Sequence, residues 1–105
     1  MQGLPKYYRP LPEELTIKES KIEGLGLFSN RKIKKDTILG ITHIFHVDYE
    51  DSYIRTPLGG FINYSDTPNC KLENKIGDLF LKTIVDIKEG EELTLKYFLR
   101  LSQNI

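Results

Sequence analysis

Apolar and polar residues alternate one by one through several short stretches of this chain. "LTIKES" (15–20) shows it, and "DLFLKTIVDI" (78–87) sets Leu79, Leu81, Thr83, Val85 and Ile87 on one face. "ELTLKY" (92–97) sets Leu93, Leu95 and Tyr97 against Glu92, Thr94 and Lys96. A period of two is that of a strand with one buried face. "KIEGLG" turns after the first stretch and "KEGE" before the last. Between them, "LFSNRKIKKDTILGITHIF" reads as short strands around a polar turn at Lys34 to Asp36. No segment keeps helical periodicity for ten residues, and 46–58 holds one helical turn at most. There is no internal repeat. The pattern predicts a mostly-β domain of short strands, turns and little helix.

Composition narrows this little. The chain has 105 residues, one domain's worth, with fifteen basic and fifteen acidic residues in balance. A nucleic-acid module usually carries a basic excess, so that class is disfavoured. "NRKIKK" (30–35) is read as a solvated turn that could hold an acidic partner. Cys70 is the only cysteine, which excludes an intramolecular disulfide and a cysteine-based zinc cluster. His43 and His46 are three apart; on a strand they point to opposite faces, so no metal site is expected. No apolar run approaches a membrane span. A reduced compartment follows: cytoplasmic, or nuclear in a eukaryotic host. The first fourteen residues, with Pro5, Pro10, Pro12, Tyr7 and Tyr8, read as an extended arm, and 99–105 as a tail.

Three stretches stand in order: "GLGLFS" (24–29), "GFINYSDTPNC" (60–70) and "IKEGEELTLKY" (87–97). Alone, each is a turn signal; Asn, Asp and Pro shape loops by bonding their own backbone or fixing φ. In this order and spacing they resemble the SET domain, the β-rich fold of S-adenosylmethionine-dependent protein-lysine methyltransferases. The resemblance covers residues 15–98 and implies the β-clip fold of that family, here without cysteine-rich flanking regions.

The resemblance implies a cofactor site made by Gly24, Leu25 and Gly26, whose bare backbone would face S-adenosylmethionine, together with Asn63 and Tyr64. Asn63 matches the residue that meets the cofactor's amino-acid part. Tyr64 stands where the family has histidine; main-chain contacts to adenine survive that change, whereas imidazole bonds do not. Ser65, Pro68 and Asn69 match the rest of the motif and are expected to fix its turn. Tyr97 matches the catalytic tyrosine. Tyr53, ten residues before Asn63, takes the place of a tyrosine that lines the lysine channel. Lys96 replaces an acid and is expected on the surface.

Two parts of the family pattern are short. Twelve residues separate Gly40 from Tyr53, leaving little of the insert that walls the substrate groove, and eight follow Tyr97. The tail, the aromatic arm or a second copy must close the channel, and a homodimer is expected. The partner implied is a protein presenting a lysine. Two other readings stay open: a SET-like module that binds protein or cofactor without catalysis, and an unrelated β-rich adaptor.

Overall fold

The structure, a computed structural model, describes residues 10–46, 48 and 53–96. Eight strands follow one another: β1 (Leu15–Glu19), β2 (Leu25–Ser29), β3 (Ile38–Phe45), β4 (Tyr53–Arg55), β5 (Asn63–Tyr64), β6 (Cys70–Lys75), β7 (Asp78–Thr83) and β8 (Glu92–Leu95). The one helical element among the described residues is a 3₁₀ turn, Pro57–Gly59, capped by the Thr56 hydroxyl. The mostly-β expectation holds.

The strands form two four-stranded sheets, in the orders β1-β2-β8-β5 and β4-β3-β7-β6. Their inward residues share one core of Leu15, Leu27, Ile33, Leu39, Leu58, Ile62, Cys70, Leu81, Ile87, Leu93 and Leu95. In β7 the expected alternation is present, with Leu79, Leu81 and Thr83 buried. It stops there. Val85 is exposed, because the chain leaves the sheet after Thr83. Ile87 returns to the core by another route, exchanging two backbone hydrogen bonds with Ile33 (3.0 and 2.7 Å). This bridge zips two turns together and spreads the basic run around it, with Arg31 paired to Glu13 at 3.2 Å.

The second departure is in β8. Thr94, expected on a solvated face, is 7% exposed, beside fully covered Leu93 and Leu95. The cause is position: β8 lies between β2, antiparallel to it, and β5, parallel to it. Asn69 then covers its outer side. The Asn69 Oδ1 accepts from Thr94 N (2.8 Å), its backbone N–H donates to Thr94 Oγ1 (3.3 Å), and its Nδ2 donates to the Glu92 carbonyl (2.8 Å). Beyond this clamp Lys96 is exposed, as expected.

Strand β6 was not legible as one, since Lys71, Glu73 and Lys75 break its apolar pattern. It is an edge strand, where such charges are tolerated and discourage further pairing. Glu73 pairs with Lys82 of β7 at 3.2 Å, which holds its carboxyl below the usual range.

Candidate functional site

The β1–β2 hairpin builds the first wall. Ser20 N donates to the Gly24 carbonyl (2.7 Å), and Gly24 closes the loop with φ +48°, a conformation that L side chains rarely adopt. No atom lies within 4 Å of where a Gly24 Cβ would sit, so it is the backbone angle that requires glycine there. Leu25 begins β2 with its side chain half exposed.

Gly26 is different. Its φ is unremarkable, it is buried, and a Cβ on it would fall 2.2 Å from Glu92 Oε2. The space a side chain would take is filled by the Glu92 carboxylate, which reaches over from β8. Ser20 Oγ donates to that carboxylate at 2.8 and 2.9 Å, and Asn63 Nδ2 donates to it at 2.8 Å. The bare backbone expected at this glycine therefore accommodates a group of the chain itself.

Asn63 joins the first two motifs. It pairs beside Thr94 in β5, and its amide reaches back to the hairpin. Its Nδ2 faces the carbonyls of Glu23 (3.1 Å) and Leu25 (3.3 Å) as well as Glu92. Three acceptors around one nitrogen fix the amide's orientation, since turning it over would set oxygen against oxygen. Oδ1 points elsewhere, and no hydrogen bond among the described residues reaches it. Gly24, Leu25, Gly26 and Asn63 thus converge, and Ser20 and Glu92 join them. Sequence reading had not singled out these last two. The available signal was the acid pair of "GEEL": on a strand one acid must face away from the other. Glu91 caps its own turn by accepting from Lys88 N (2.8 Å), while Glu92 enters the cleft.

The arrangement sets hydrogen-bond acceptors beside a negative charge at one point of the surface. Asn63 Oδ1 is an acceptor beside a carboxylate, a combination that favours a cationic donor.

Tyr64 follows Asn63 with its ring half exposed, and its hydroxyl donates to Asp66 within the same turn. Its backbone stays in the sheet opposite Leu95, and Ser65 N donates to the Leu95 carbonyl (2.9 Å). Tyr53 lies on the other sheet, at its β4 edge. It packs edge-on against His43 (ring centroids 5.9 Å apart) and Phe45 (6.0 Å). Tyr97 lies outside the described residues, two positions after the end of β8. A cavity of about 420 Å³ opens between Pro10, Pro12, Leu39–Ile41 and Thr56–Leu58. None of the residues around Asn63 lines it.

A profile of the family described as SET domain matches residues 42–98, just over half of the chain. The chain belongs to the SET domain family. Solved structures similar to this SET domain include a candidate histone methyltransferase of Plasmodium falciparum. It is 26% identical, with a TM-score of 0.66, over 83% of this chain and 95% of that one. The methyltransferase domain of human PR domain-containing protein 2 is 16% identical, with a TM-score of 0.61, over 81% of this chain and 77% of that one, and shows the shared fold. No curated protein sequence matches significantly. The comparisons support a methyltransferase.

Two buried groups have perturbed titrations. Burial, reinforced by the Glu91 carboxylate, pushes the Cys70 thiol up to about 12, so this cysteine packs and does not react as a thiolate. Burial, reinforced by the Arg55 charge, pushes His43 from 6.5 down to about 4. Its ring Nδ1 lies 2.8 Å from Thr42 Oγ1, and its edge meets Tyr53. A histidine kept neutral in the fold but free to ionise when unfolded leaves stability intact above pH 6.5. Stability is then lost as pH falls through the window from 6.5 to 4. The loss reaches about 3 kcal/mol by pH 4. Thermal melts between pH 7.5 and 4.5 should show a decline that His43→Gln flattens. An equal decline in both proteins would acquit His43.

Proposed function

We propose that this SET domain is a protein-lysine N-methyltransferase that uses S-adenosylmethionine. The observation that carries the reading is the Asn63 amide, which ties the Gly24–Gly26 hairpin to the strand leading to Tyr97. Those are the positions at which the family's cofactor and active-site motifs meet. When bound, S-adenosylmethionine supplies an electrophilic methyl group on a sulfonium. Asn63, with the backbone of Gly24 and Leu25, would hold its amino-acid end, and the backbone at Tyr64 its adenine.

The protein's remaining task is to present a neutral amine in line with that methyl. Lysine's ordinary pKa of ~10.4 keeps it protonated at neutral pH, and a narrow apolar channel lowers it by disfavouring the ammonium. Tyr53, in its aromatic trio with His43 and Phe45, would form part of the channel wall. The Tyr97 hydroxyl would orient the amine. Holding nitrogen and methyl in line supplies much of the rate without any proton-transfer group. We propose further that two copies associate, because Ile44 and Phe45 are exposed beside the β4 edge and the groove has little wall of its own.

A second reading is a SET module that binds but does not transfer. It is favoured by one feature, the Tyr64 side chain turned to Asp66 where the family keeps an imidazole. Calorimetry with S-adenosylmethionine tests the cofactor, and incubation with a lysine-rich protein pool and labelled cofactor tests transfer. Asn63→Ala should weaken cofactor binding by about 10-fold or more, since it strands buried polar groups of the ligand. Its melting temperature should change little, because the Asn63 side chain is only half buried. Affinity equal to that of wild type would remove Asn63 from the site. Binding without transfer would favour the second reading.

A further inference from the structure

Resting on the reading that this cleft takes S-adenosylmethionine, we infer that Glu92 is the residue that selects ligands bearing an ammonium group. Three features of the structure point to it. First, the carboxylate is placed deliberately: it occupies the position of a Gly26 side chain, 2.2 Å from where a Cβ would be, so any other residue at 26 would displace it. Second, it is held from two sides, by Ser20 Oγ of the β1–β2 hairpin and Asn63 Nδ2 of β5, which lie 72 and 29 positions away in sequence. Two donors do not exhaust a carboxylate, whose oxygens offer about four lone-pair sites. Third, Glu92 turns the Asn63 amide. With Nδ2 committed to Glu92 and to the carbonyls of Glu23 and Leu25, the Asn63 group left for a ligand is the acceptor Oδ1.

Every side-chain group left to a ligand at this point is therefore an acceptor, and one carries negative charge. Such a site favours a cation with several N–H donors, as the α-ammonium of an amino acid has. It disfavours a carboxylate or a neutral ether in the same place. The acid of this strand serves recognition at one end of the cofactor, remote from the amine that receives the methyl group.

The test is calorimetric and needs no turnover. Three thioether probes share the adenosine–sulfur part: S-adenosylhomocysteine, with ammonium and carboxylate; decarboxylated S-adenosylhomocysteine, with ammonium only; and 5′-methylthioadenosine, with neither. Wild type should bind the first two more tightly than the third. Glu92→Gln keeps the volume and still accepts from Asn63, but removes the charge. It should weaken the two ammonium-bearing ligands by about 10- to 100-fold, the worth of a hydrogen bond to a charged group. Binding of 5′-methylthioadenosine should stay within about twofold. Ser20→Ala, which keeps the charge and loosens its hold, should show the same selectivity with a smaller loss, and serves if Glu92→Gln does not fold. Equal weakening of all three ligands would make Glu92 a structural residue and overturn the inference. So would wild type binding all three equally, although the cofactor reading would then survive. Wild type binding none of them would overturn both.

Discussion

Replacing Asn69 by alanine is expected to remove about 3–4 kcal/mol of stability, enough to threaten a domain whose total is of the order of 5–15 kcal/mol. The side chain is 7% exposed and bonds β8 through both of its polar atoms. Its loss leaves Thr94 N–H and the Glu92 carbonyl covered by protein without a partner, and an orphaned buried group costs far more than a net hydrogen bond contributes. Asn63→Ala is the informative contrast. It removes three bonds against four, yet from a half-buried amide that water can replace. Urea titrations of the two variants should separate them clearly. A midpoint shift for Asn69→Ala worth less than about 1 kcal/mol would show that β8 is held by its strand partners alone.

Tyr97→Phe is expected to lower methyl transfer by about 10²-fold or more while leaving cofactor affinity and melting temperature nearly unchanged. The aromatic ring remains in the variant. What goes is a hydroxyl that, on the proposed mechanism, orients the amine and meets charge that develops only in the transition state, so kcat should fall without a matching change in binding. Transfer to a lysine-rich pool, measured beside calorimetry and a thermal melt, checks all three expectations. A variant as active as wild type would deprive Tyr97 of its assigned role. A variant that also lost affinity would place the hydroxyl against the cofactor instead.

The alternating stretches of β1 and β7 were legible because each presents one face to a common core. Reading failed where a strand is covered on both sides or lies at a charged edge. Thr94 is polar and buried because Asn69, 25 positions away, supplies its partners, and no local pattern encodes that. Charged β6 hid its strand character because an edge tolerates such residues. In the site, glycine and asparagine could be matched by motif. Why Gly26 must be glycine could not, since the reason is the carboxylate of Glu92 across the sheet. Asn69 was expected to shape a turn, and what it shapes is the attachment of another strand.

The place of β8 between β2 and β5 also dictates an order of assembly during synthesis. By the time Thr83 has been made, the sheet of β3, β4, β6 and β7 has all of its strands. The other sheet does not. Ser20 must wait 72 residues for Glu92, roughly 4 to 14 seconds at the usual pace of translation. Throughout that interval the β1–β2 hairpin has no β8 to cover Leu27. A nascent chain stopped before residue 92 would have every strand of one sheet and no cleft at all. Ligand binding, which stabilises only molecules that possess the site, would then discriminate between finished and unfinished copies of the chain.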